Sequence, residues 1–271
     1  MTGESRPAYV LTGSGSPTTV FAPGLGGSVE QTRPFGSGVR GTRAFLEANE
    51  KSGQHLTYAD LAGDVRRIAD ELGAARAVGV SLGAGAILRL LATAPDRFER
   101  VVLLLPAALD RPRSARIATR MRAAAGDADR GDVDAVAAAL RALQPASARD
   151  RADVVAWSRD RARALAGPAF ARVLRAFADQ QPLADRGVLT GCTAPVLVVG
   201  QDGDEAHPAD VARETAAALP NAELVVFPPG GLLWEHRAAT RERISAFLNA
   251  VDGSGGDSPG GDGPGAVGGL A

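Results

Sequence analysis

Six apolar runs of strand length recur along this chain of 271 residues. They are TVFA (19–22), RAFL (43–46), RAVGV (76–80), VVLLL (101–105), PVLVV (195–199) and ELVVF (223–227). Several are apolar throughout, as strands are when a parallel sheet is covered on both faces. Between them the period changes from strand to helix. Residues 58–72 set Leu61, Val65, Ile68 and Leu72 at helical spacing, and 82–94 do the same with Ile87, Leu90 and Leu91. Residues 208–219 and 237–248 also read as helices. Alternation of this kind predicts an α/β fold, a doubly wound and mostly parallel sheet with helices on both faces.

The alternation breaks once. From Pro106 to Asp185 no strand is evident, only arginine- and alanine-rich helical stretches punctuated by Gly126, Gly131, Pro145 and Gly167-Pro168. Roughly 80 residues is too long for one crossover, so 106–185 is expected to be an all-helical cap inserted into the sheet domain. The sheet domain then divides into a first part, 1–105, and a second, 186–251. Residues 252–271, rich in glycine, proline and serine, cannot bury a core and are expected to be disordered.

Composition removes several classes of function. A net charge of -1 gives no reason to expect nucleic acid or an anionic membrane as a partner. Cys192 is the sole cysteine, which leaves no disulfide framework and no cysteine-based zinc site. The three histidines, His55, His207 and His236, are too scattered to suggest a metal site. The N-terminus lacks an apolar signal core and no run reaches membrane-spanning length, so a soluble cytoplasmic protein is expected. No cofactor is called for.

Chemistry is suggested by RAVGVSLGAG (76–85), where Ser81 stands between Gly79 and Gly83. The pattern Gly-x-Ser-x-Gly recurs at Gly256, Ser258 and Gly260 in the tail, so context must decide between the two. Ser81 falls where an apolar strand ends at Val80 and a helix begins at Leu82. A serine there is thrust up at the carboxyl edge of the sheet, where open α/β sheets take their ligands. The flanking glycines give the sharp turn room, and the helix N-terminus offers free N–H groups to a developing oxyanion. This is the context of a nucleophile elbow. The stretch FAPGLGGS (21–28) follows another strand and can supply a second donor, making the N–H groups of Leu25 and Leu82 the expected oxyanion hole. It lacks the third glycine of a dinucleotide fingerprint and the lysine of a P-loop.

The order of FAPGLGGS, GVSLG, a helical insertion, PVLVVGQDGDEAHP and a last strand followed by PPGGLLWEHR resembles the α/β-hydrolase superfamily, from about residue 8 to residue 250. The resemblance implies a catalytic acid after the run at 195–199. Asp204 matches best, with Asp202 its rival and Asp110, after the run at 101–105, a further acid position. Two departures stand out. Pro23-Gly24 replaces a common His-Gly pair. At Gly231-Leu232, where members usually carry the general base in a Gly-His pair, leucine replaces histidine.

Leu232 cannot take a proton, so the base must come from elsewhere. His236 lies four residues downstream on the same passage and is favoured; His207, on the acid loop, comes second, and His55 last. The site expected from the resemblance is therefore Ser81, Asp204 and His236, with Trp157 and Trp234 lining a substrate pocket. Phe170 and Phe177, also on the expected cap, are read either as further lining of an apolar pocket or as core. The implied activity is hydrolysis of a small apolar carboxylic ester or thioester through an acyl-serine. The competing reading, which rests on Leu232, is a non-hydrolytic member of the same fold that binds a ligand or acts in biosynthesis.

Overall fold

A computed structural model describes residues 8–47 and 56–250. His55, Ser258 and the tail 252–271 lie outside the described residues. Seven strands form one sheet: β1 (Tyr9–Thr12), β2 (Thr19–Ala22), β3 (Arg43–Leu46), β4 (Arg76–Val80), β5 (Arg100–Leu104), β6 (Val196–Gln201) and β7 (Ala222–Phe227). Their order across the sheet is β1-β3-β2-β4-β5-β6-β7. Only β1 runs antiparallel to its neighbour, pairing Tyr9 with Leu46 and Thr12 with Arg43. The apolar runs do not anticipate β1, because Val10 and Leu11 stand exposed on a sheet edge and give no buried pattern to read.

The central strands are apolar on both faces because both faces are covered. In β6, Val196 and Val198 enter one core with Ile68, Ile87 and Leu91. Leu197 and Val199 enter the opposite core with Phe21, Phe45, Ile244 and Leu248. Successive side chains of a strand point to opposite faces, so an uninterrupted valine and leucine run suits a sheet sandwiched between helix layers.

After β2 come a short helix, α1 (Val29–Thr32), and a 3₁₀ turn at Arg33–Gly36. Helix α2 (Tyr58–Glu71) starts at Thr57, whose hydroxyl accepts from Asp60 N–H while Asp60 accepts from Thr57 N–H. This reciprocal cap satisfies two donors that the helix itself cannot. Helix α3 (Leu82–Leu91) follows β4 directly.

Four helices lie between β5 and β6: α4 (Ala115–Asp129), α5 (Val133–Ala142), α6 (Ala152–Leu165) and α7 (Pro168–Ala178). They share an apolar core that includes Ile117, Met121, Leu140, Phe170 and Phe177, and this core also takes in Tyr58 and Leu82. Phe170 and Phe177 are thus packing residues of the insertion. Arg161 of α6 donates to the carbonyls of Gly26 and Gly27, which ties the insertion to the loop after β2. Helices α8 (Ala209–Ala218) and α9 (Arg237–Asn249) flank β7, with a π-helical turn at Gly231–Glu235 before α9.

Candidate active site

Ser81 occupies the turn from β4 to α3 at φ 50° and ψ −103°. A positive φ is costly for a residue with a Cβ, and such strain persists only where the surroundings enforce it. Both flanking glycines are needed for that enforcement. A Cβ on Gly83 would lie 2.3 Å from Ala22 O, and one on Gly79 would lie 2.6 Å from Gly83 O. Helix α3 therefore presses onto the ends of β2 and β4 with no room for a methyl group. Ser81 N–H is fixed on Leu104 O at 2.8 Å.

The loop after β6 brings two more groups to the serine. Its Asp204 side chain is buried and accepts at Oδ1 from the N–H groups of Ala206 (2.9 Å) and His207 (3.1 Å). The chain is folded back by these bonds, as in other turns closed by an aspartate side chain. His207 is thereby carried over the carboxylate, with Nδ1 2.9 Å from Asp204 Oδ2. The other ring nitrogen, Nε2, lies 2.9 Å from Ser81 Oγ.

Burial pushes the Asp204 carboxyl upward, but the His207 ring and the hydrogen bonds from His207 and Ala206 outweigh it. The net effect holds the acid below its ordinary range, and so ionised at neutral pH. An ionised carboxylate only accepts hydrogen bonds, so Nδ1 must carry the ring proton. In the neutral ring Nε2 is then an acceptor facing the serine hydroxyl. That tautomer is the one a general base requires.

The expectation for His236 is corrected. Its Nε2 lies 2.9 Å from Pro228 O, and its ring stacks on Phe227 with centroids 5.2 Å apart. The cause is local. His236 N–H closes on Gly231 O at 3.1 Å, and this turn folds the ring back onto the chain that precedes it. Leu232 is 2 % exposed, buried with Phe21, Val199 and Leu248, and it also lines the site.

The other acids are engaged elsewhere. Asp202 is exposed and pairs with Arg213 at 3.2 Å. Asp110 takes both arms of Arg186, at 2.6 and 2.7 Å. The signal that could have singled out His207 is the spacing Asp-x-x-His in GDEAHP, read together with leucine at 232.

A cavity of about 170 Å³ opens over Ser81. Its lining is largely apolar, with Leu25, Met121, Leu140, Trp157, Leu232 and Trp234 among the contributors. The two tryptophans meet edge to face, centroids 5.7 Å apart. Leu25 reaches this cavity from the loop after β2, while Leu82 is the first residue of α3. The first N–H groups of a helix have no intrahelical partner, which leaves Leu82 N–H available beside the serine.

A sequence profile described as alpha/beta hydrolase fold matches residues 22–232. The chain belongs to the α/β-hydrolase fold family. Among solved structures, an enol-lactonase from Burkholderia xenovorans aligns at a TM-score of 0.73 and 24 % identity, covering 90 % of this chain and 96 % of that one. A thermophilic esterase from Thermogutta terrifontis aligns at 0.73 and 16 % identity, covering 90 % and 93 %. An esterase from Exiguobacterium antarcticum aligns at 0.72 and 14 % identity, covering 90 % and 96 %. These likenesses establish the shared fold. No curated protein matches the sequence. Among the described residues, no helix is long and apolar enough to cross a membrane.

Proposed function

We propose that this protein is a serine hydrolase that cleaves a small apolar carboxylic ester or thioester through an acyl-serine intermediate. The observation that carries the reading is the pair of 2.9 Å contacts joining Ser81 Oγ to His207 Nε2 and His207 Nδ1 to Asp204 Oδ2. In the proposed reaction His207 takes the proton from Ser81 as Oγ attacks the carbonyl carbon. Asp204 holds the ring and stabilises the imidazolium that forms. The N–H groups of Leu25 and Leu82 receive the oxyanion. His207 then protonates the leaving alcohol or thiol, and water, deprotonated by the same ring, releases the acid and restores Ser81.

The apolar lining and modest volume of the cavity favour short apolar acyl or alcohol groups over charged or polymeric ones. The competing non-hydrolytic reading rests on Leu232, and the 2.9 Å contact of His207 Nε2 with Ser81 Oγ favours the hydrolase over it. Labelling with a fluorophosphonate probe, followed by peptide mapping, tests the proposal. Label on Ser81 that disappears in His207→Ala is expected. Absence of label in the folded wild-type protein would overturn the hydrolase reading.

A further inference from the structure

Gln201 ends β6, three residues before Asp204, and its side chain is fully buried. Neither Oε1 nor Nε2 has a hydrogen-bond partner among the described residues. Gln201 also lines the cavity above Ser81. Of the described side chains with a buried polar atom lacking a partner, it alone does so. Strand alternation explains the orientation. Gln201 follows Leu197 and Val199 on the face that holds Leu232, so an amide stands where the pattern would continue with an apolar side chain.

A buried amide without partners opposes folding, whereas an apolar residue of the same shape would not. Such a group is explained when something absent from the free protein supplies the missing partner. We infer that Gln201 is a specificity-determining residue, whose amide binds a neutral oxygen-bearing group, such as a hydroxyl, that the substrate carries in addition to its ester. The inference rests on the hydrolase reading and narrows it to a substrate that is apolar except at one further point. An amide offers one donor group and one acceptor atom with no charge, and a hydroxyl can meet either. A site built to pair a hydroxyl discriminates strongly against the analogue without it, because the buried partner is then left unpaired.

The test compares p-nitrophenyl butanoate with its 2-hydroxy and 3-hydroxy counterparts, in the wild-type protein and in Gln201→Met. For the wild type, kcat/KM is expected to favour one hydroxy ester over the plain ester by about tenfold or more. In Gln201→Met that ratio should fall to near one. Equal treatment of all three esters by the wild type, a measurement that needs no variant, overturns the inference while leaving the hydrolase reading intact. A preference that survives in Gln201→Met overturns it as well. If the wild type turns over none of the esters, the fluorophosphonate label decides the hydrolase reading, and calorimetric binding of the same esters to Ser81→Ala decides the role of Gln201. Selective binding of a hydroxy ester that is lost on adding Gln201→Met upholds it. Unselective binding, or none, removes it.

Discussion

Trp234 Nε1 donates to Gln144 Oε1 at 3.0 Å, joining the turn after β7 to the segment between α5 and α6. The two residues are far apart in sequence, and both line the cavity over Ser81. The wall of the site therefore joins the turn after β7 to the helical segments between β5 and β6, through that bond and through the edge-to-face contact of Trp234 with Trp157.

Trimming that wall should change substrate size. Trp234→Ala removes a large ring from the cavity and leaves Gln144 Oε1 without its donor. Hydrolysis of p-nitrophenyl esters is expected to shift toward longer acyl chains. Trp234→Phe retains a ring against Trp157, should keep the short-chain preference, and should cost about 1 kcal/mol in chemical denaturation for the lost hydrogen bond.

The two histidines separate cleanly by mutation. His207→Ala should lower ester kcat by about 10³-fold or more, the scale of a lost positioned base. His236→Ala should leave it within about threefold, since its ring bonds Pro228 O and contributes no base. Leu232→His in the wild-type background should bring no gain in activity. Its imidazole replaces a buried leucine, so denaturation should show a loss of about 1–3 kcal/mol.

Asp204→Asn tests the ring tautomer. Oδ1 is already committed to two backbone N–H groups, so an asparagine that keeps them turns its NH₂ toward His207 Nδ1. The ring proton is then driven to Nε2, the wrong side for accepting from Ser81. A fall in kcat of about 10⁴-fold with little change in KM is expected. Equal activity would remove Asp204 from the reaction.

Strain at Ser81 predicts an unusual pair of variants. Ser81→Ala keeps the Cβ at φ 50°, and should lose all labelling while unfolding like the wild type. Ser81→Gly should be equally inactive but more stable than Ser81→Ala by about 1 kcal/mol, because glycine tolerates positive φ. Denaturant midpoints for the two proteins give the comparison.

Asp110 carries a pH-dependent share of stability. The Arg186 guanidinium, hydrogen-bonded to it, holds its carboxyl below the ordinary carboxylate value. A depressed acid stabilises the fold at pH above its unfolded value, about 3.9, and that share is lost as pH falls through the lower folded value. Asp110→Asn should therefore cost about 1 kcal/mol at pH 7. The difference from wild type should shrink toward zero as thermal melts are taken below about pH 4.

Sequence and structure part company over which histidine meets Ser81. The elbow was legible because its two glycines are demanded by backbone contacts of 2.3 and 2.6 Å, which no other residue type permits. The central strands were legible because burial on both faces leaves an uninterrupted apolar run. The choice between His207 and His236 turned on how two loops bend. Placing His236 at the site assumed that the last loop approaches the serine as it usually does. A single turn closed by His236 N–H on Gly231 O sends the ring elsewhere, and periodicity carries no trace of such a bond. β1 carries no apolar signature because its Val10 and Leu11 are exposed. Gln201, read as part of a motif, gave no sign that its amide is buried without partners.

Asp204 and His207 ride on one turn of chain, so on the proposed reading thermal motion carries acid and base together. Only one distance between separate segments, from the loop after β6 to the elbow after β4, has to be held for all three groups to stay in line. An arrangement that draws each group from a different loop must keep two such distances at once. On the proposed reading the segment after β7 takes no part in the reaction and serves as wall, with His236 turned onto Pro228 O. Its length and side chains can drift without breaking the relay, so chains wired in this way are expected to diverge in what they accept sooner than in what they do to it.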